Sequence, residues 1–237
     1  MVRAQTGFEL RLLARNGEQL LLALVIPIAA LVGLTATTVI ALPAPRVATV
    51  VPGIWALAIM STGFTSLAIS SAFDRRYAVT KRLIGSGVPR RVLLAGKALA
   101  IAGVGAVQIA ILGLIGVALG WRPHGNPGWA LLLIVLGWAA FTGLGLLLGG
   151  TLKAEVVLGL ANLIWLLFVV LGGVVVPLTS GPGWLAAVGQ ATPAGALSSA
   201  LRSVLTDGAA PGTGPVLVLA GWSLVGWAAT LQWFKWQ

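Results

Sequence analysis

Few side chains in this sequence are equipped for chemistry, and their spacing closes most routes. There is no cysteine among the 237 residues, which removes disulfides, thiolate nucleophiles and Cys-ligated metals. The sole histidine, His124, sits among turn residues in WRPHGNP, without a second ligand or an acid/base partner, and reads as a solvated loop histidine. The five carboxylates, Glu9, Glu18, Asp74, Glu155 and Asp207, lie near the ends of apolar runs or between them. No carboxylate pair falls inside such a run, so the intramembrane ionisable groups of a proton-coupled carrier are missing. Gly96 and Lys97 invite a phosphate-loop reading, but that motif needs glycine and a hydroxyl residue where this chain has Arg91 and Ala98. No catalytic residue, metal site or bound cofactor is therefore expected on this chain.

What remains is positive charge. The stretch SAFDRRYAVTKRLIGSGVPRRVLLAGK, residues 71–97, holds seven of the fifteen basic residues. A net charge of +10 would suit nucleic acid if it clustered on a soluble domain. With 58% hydrophobic and 8% charged residues and a mean hydropathy of +1.01, the chain has no such domain. Membrane lipids are expected partners and nucleic acid is not. At 100° per residue, Phe73, Tyr77, Thr80 and Ile84 share one helical side, flanked by Val79 and Leu83. Asp74, Arg75, Lys81 and Arg82 take the other side, with Arg76 the exception. This predicts an amphipathic helix of about three turns, with Asp74 at its start complementing the helix dipole. Gly85, Ser86 and Gly87 end it, and Pro89 opens the next helix, which carries Arg90 and Arg91. Two readings stay open: the basic side rests among anionic lipid heads and sets topology, or the helix is a handle for a cytoplasmic partner.

The elements around this stretch are membrane spans. Uncharged runs long enough to cross a bilayer predict six, at roughly 20–42, 48–72, 97–120, 129–151, 156–176 and 215–234. Residues 1–18 lack the order of a secretory signal, so the first apolar run is expected to remain as a span. With both termini cytoplasmic, twelve of the fifteen basic residues fall inside: Arg3, Arg11, Arg15, the seven of the opening stretch, Lys153 and Lys235. Arg46, Arg122 and Arg202 fall outside, a strong positive-inside asymmetry.

Residues 177–206 are long enough for a seventh span, but Pro182 and Pro193 divide them into two short segments. Two helices dipping into the outer leaflet are expected, as an outer gate carrying Pro177, Pro182, Trp184 and Pro193. Gln108 and Asn162 are the polar amides within spans and are expected to bond across helices. Trp138 and Trp165 lie deep in spans, as packing residues or as lining of a cavity; with the two amides they form a possible pathway. Gly116 with Gly120, and Gly145 with Gly149, give GxxxG spacings that permit close helix approach.

The matched order of Asp74-Arg75-Arg76-Tyr77, Lys81-Arg82-Leu83, Pro89-Arg90-Arg91 and Gly96-Lys97 resembles the permease subunits of ABC exporters of the ABC-2 type, especially those similar to the daunorubicin exporter. LLARNGEQLLLALVIPIAALVGL and VVVPLTSGPGWLAAVGQATPAGALSSALRSVL are similar to the same family, so the likeness covers nearly the whole chain. Ala78 departs from it, standing where a glycine is common, and Gly85, Ser86, Gly87 and Val88 replace its usual turn. The resemblance implies an all-α integral membrane protein forming a single transmembrane domain, 1–237. It would have six spans, an interfacial N-terminal helix, a cytoplasmic coupling segment over 73–96 and two re-entrant helices over 177–206. It further implies a bacterial plasma-membrane exporter of hydrophobic or amphipathic compounds such as drugs, with lipid or envelope export as the alternative. Its partners would be two copies of a cytoplasmic ATPase, which binds the ATP and Mg, and a second permease, identical or paralogous.

Overall fold

A computed structural model describes residues 1–15, 17–38, 42–178 and 182–236, with the backbone alone at 18–20 and 22. Among them the fold is helical: α1 (Val2–Arg15), α2 (Gly17–Ala36), α3 (Arg46–Met60), a π-helical segment (Ser61–Ser66), α4 (Leu67–Arg76), α5 (Val79–Gly85), α6 (Arg90–Ala118), α7 (Pro127–Thr151), α8 (Ala154–Leu171), α9 (Gly183–Ala191), α10 (Pro193–Leu205) and α11 (Thr213–Trp233).

Five of these units are long and apolar enough to cross a membrane: Arg46–Arg76, which joins α3 to α4 through the π segment, and α6, α7, α8 and α11. The first expected span coincides with α2, a helix of 20 residues with Pro27 inside it. Its described apolar part, Ala23–Ala36, is shorter than the roughly 20 residues a crossing needs. The end of that expected span, 39–41, lies outside the described residues.

Arg46–Arg76 is the central element. Its apolar window is 89% buried, against 17% for α8, which therefore lies at the periphery. Small residues let neighbours reach its backbone. A side chain at Gly145 or Gly149 of α7 would run into the carbonyls of Gly63, Phe64 and Ala68. The other edge of α7 is equally bare, with Gly143 against Gly226 and Gly150 against the Phe234 ring. Thus the 145/149 spacing is a packing seam. The 116/120 spacing is not, because Gly120 follows the end of α6 in a left-handed conformation with φ 91°.

At the start of the π segment two hydroxyls bond back to the preceding turn. Ser61 Oγ donates to Leu57 O at 2.7 Å and Thr62 Oγ1 to Ala58 O at 2.8 Å, sharing carbonyls that also accept from Ser61 N. Ser61 Oγ also accepts from Trp165 Nε1 at 2.9 Å, tying α8 to the central span.

The two ends of the bundle differ. At one, α4 ends beside the α7–α8 connection, and Lys235 N donates to Gly150 O at 2.8 Å. At the other, Thr206 Oγ1 donates to Ala48 O at 2.6 Å and His124 N to Leu205 O at 3.1 Å, gathering the start of α3, the α6–α7 loop and the end of α10. Here α9 has 9 residues and α10 has 13, each too short to cross alone. Thr192 separates them, its hydroxyl accepting from Gly195 N at 3.0 Å, with Pro193 buried at the first position of α10. Two short helices thus stand where a seventh span was the alternative.

Candidate coupling site

The expected three-turn helix from Phe73 is in fact two pieces. Helix α4 carries the central span out to Arg76, the chain turns at Tyr77 and Ala78, and α5 runs from Val79 to Gly85. Ala78 makes the corner in the left-handed region, at φ 55° and ψ 21°. This explains why a glycine suits that position, since a Cβ there costs about 1–2 kcal/mol. Ala78→Gly should therefore raise stability by roughly 0.5–1 kcal/mol, read as a higher midpoint of thermal unfolding in detergent. A lower midpoint would mean that the corner is not left-handed.

The break also reassigns Asp74. It sits in the last turn of α4 rather than at a helix start, so its partner is a side chain instead of a dipole. Lys97 Nζ donates to Asp74 Oδ2 at 2.5 Å and to Glu9 Oε2 at 3.3 Å, and Gln5 Nε2 donates to Glu9 Oε1 at 3.0 Å. The side chains of Lys97 and Glu9 are only 12% and 9% exposed. Gly96 lets α1 come this close, because a Cβ there would collide with the Gln5 side chain. The Gly96-Lys97 pair, which fails as a phosphate loop, instead binds α1, α4 and α6 into one unit.

Two more ties leave the end of α4. Arg75 Nη1 donates to Gly149 O at 2.8 Å and Leu152 O at 3.0 Å, satisfying carbonyls at the C-terminus of α7. Arg76 Nη1 pairs with Glu155 in the first turn of α8. The end of α4 is thus bonded to α6, α7 and α8.

The apolar side splits accordingly. Thr80 is buried and Phe73, Leu83 and Ile84 are half-buried, whereas Tyr77 is 62% exposed and stacks on Phe73 with centroids 6.0 Å apart. The Arg76 guanidinium lies 6.0 Å from both rings. Lys81, Arg82, Arg90 and Arg91 are exposed. The free surface is an aromatic ring within a basic field.

The other expected residues do not converge. Gln108 Nε2 donates to Ala23 O across α6 and α2 at 2.6 Å, as its bridging reading requires. Asn162 is exposed and donates to Leu158 O of its own helix at 2.8 Å. Trp138 packs against Gly105 and Gly63, and Trp165 reaches Ser61. None of the four lines the cavity beside α10 or the smaller one beside Arg75 and Glu155. Pro177 is half-buried, Pro182 caps α9 and Trp184 is 67% exposed; 179–181 lie outside the described residues.

Ser61, Thr62 and Arg202 were missed. The cluster STGFTS inside an apolar run, and one arginine ending a long uncharged stretch, are signals that could have found them.

A search of curated proteins gives no match. A family model described as ABC-2 type transporter matches residues 2–206, from α1 to just beyond α10. That match covers most of the chain, including the Glu9–Lys97–Asp74 network and the α4–α5 corner, and this membrane protein belongs to the ABC-2 type transporter family.

Proposed function

We propose that the chain is the permease subunit of a bacterial exporter that moves a hydrophobic or amphipathic compound, of the drug or antibiotic type, out across the plasma membrane. Membership of the family makes it the membrane component of an ABC transporter. A separate ATPase, in two copies, docks on the corner at Tyr77 and Ala78. The observation that carries this reading is the corner itself: Tyr77, Lys81 and Arg82 are exposed, while Arg75, Arg76 and Lys97 fasten the same segment to three other spans. Such coupling requires the ATPase to bind two permease conformations with different affinity.

A second permease, identical or paralogous, is part of the proposal. The outward face of α8, with Leu163, Leu166, Leu167 and Val170 exposed, is an apolar surface that it could cover. Both termini are assigned to the cytoplasm, which makes the α9–α10 region the outer gate. The alternative, export of a lipid or envelope component, uses the same machinery.

Inverted vesicles carrying the permease and its ATPase should accumulate an amphipathic cationic dye in an ATP-dependent manner. Accumulation of a fluorescent lipid alone would favour the alternative, and failure of both would reject the exporter reading. In whole cells, Asp207→Cys should label with an impermeant maleimide from outside and Arg82→Cys should not; the reverse pattern would invert the topology.

A further inference from the structure

At the end opposite the coupling corner lies a cavity of about 770 Å³, between the turn after α8, α9, α10 and the chain entering α3. Its size falls within the range of small-molecule sites. Arg202 of α10 lines it. The guanidinium donates from Nη1 to Gly173 O at 2.9 Å, from Nη2 to Val174 O, and from Nε to Thr49 O at 3.4 Å. These bonds use three of its five N–H groups and leave two.

The carbonyls solvate the cation without neutralising it. None of the ion pairs among the described residues includes Arg202, although a charge withdrawn from water is ordinarily paired. Ser203 and the Gln190 amide line the same cavity as further donors. Asp207, which is exposed, is the one carboxylate among its described lining residues. Leu42, Val176 and Leu178 supply an apolar wall. A cation with spare donors, facing a roomy space with an apolar side, suits an anion attached to a tail.

We propose that this cavity binds the phosphate head group of an amphiphile, with Arg202 as its cation and the Leu42, Val176 and Leu178 wall against the tail. The ligand is either a phospholipid of the surrounding bilayer or a phosphate-bearing compound in transit. The site stands apart from the coupling corner, so it is testable without transport.

The full chain, reconstituted in a mixture of phosphatidylglycerol and diacylglycerol and then extracted, is examined by native mass spectrometry. Phosphatidylglycerol should be retained over diacylglycerol by about tenfold or more, as expected for a charge-assisted contact at a desolvated site. Ser203→Glu, which adds a carboxylate to the lining of the same cavity without removing any bond of Arg202, should bring retention down to the diacylglycerol level. Asp207→Asn, at an exposed position, should increase phosphatidylglycerol retention. Equal retention of the two lipids by the unaltered chain, or unchanged retention in Ser203→Glu, would overturn the proposal. In the complex with the ATPase, a phosphate lipid kept through ATP turnover marks a resident bilayer lipid, and one released by turnover marks cargo; both require the site.

Discussion

Lys97→Met should destabilise the protein by about 3 kcal/mol, because it leaves the buried Glu9 and the partly buried Asp74 without their cation. For a chain of this size that corresponds to a fall of roughly 6–12 °C in the unfolding midpoint, measurable through tryptophan fluorescence in detergent. The network's geometry gives the prediction a second edge. Asp74 and Glu9 approach the same ammonium from α4 and α1, and Gln5 holds the second oxygen of Glu9. Neutralising all three members, as Lys97→Met with Asp74→Asn and Glu9→Gln, should recover much of the loss, since the penalty comes from uncompensated charge rather than from the missing bonds. A single mutant of unaltered stability would mean that the three side chains do not meet. A triple mutant as damaged as the single one would locate the cost in packing.

The second large effect concerns the exposed side of the corner. Tyr77→Ala combined with Arg82→Ala should leave membrane insertion and thermal stability near their original values, because Tyr77 is 62% exposed and Arg82 faces outward. Tyr and Arg are the residue types that most often carry interface energy. Losing one of each should weaken ATPase binding by about 3 kcal/mol, on the order of a hundredfold in Kd, and lower permease-stimulated ATP hydrolysis in parallel. Normal ATPase affinity in the double mutant would return the basic stretch to the topology reading alone.

The sequence located this site through charge, yet misjudged its shape. Helical periodicity is blind to a single left-handed residue, so the wheel ran straight through Ala78 and placed Asp74 at a helix start it does not occupy. The family glycine at that position was the available signal, because only a positive φ makes glycine useful there. Spans were legible from uncharged length, and five of them coincide with helices long enough to cross. What packs against what was less legible. Gly145 and Gly149 proved to be a seam and Gly116 with Gly120 did not, although the spacing is identical, because the second pair straddles a helix end. The π segment escaped for a related reason, since hydropathy averages over Ser61 and Thr62 and cannot report their bonds to Leu57 and Ala58. Arg202 was counted as an outer charge, but its burial among the carbonyls of Thr49, Gly173 and Val174 depends on how α10 folds back onto α3.

The central claim is that an ATPase docks on the α4–α5 corner and drives the spans through it. The most direct test is a single cysteine at Arg82 in the assembled complex, probed with a short bifunctional crosslinker in the absence and presence of ATP. The account predicts a crosslink between Arg82→Cys and the ATPase, with a yield that changes when nucleotide binds, and none from Asp207→Cys at the opposite end. Crosslinking absent at Arg82→Cys while the complex remains assembled would contradict it.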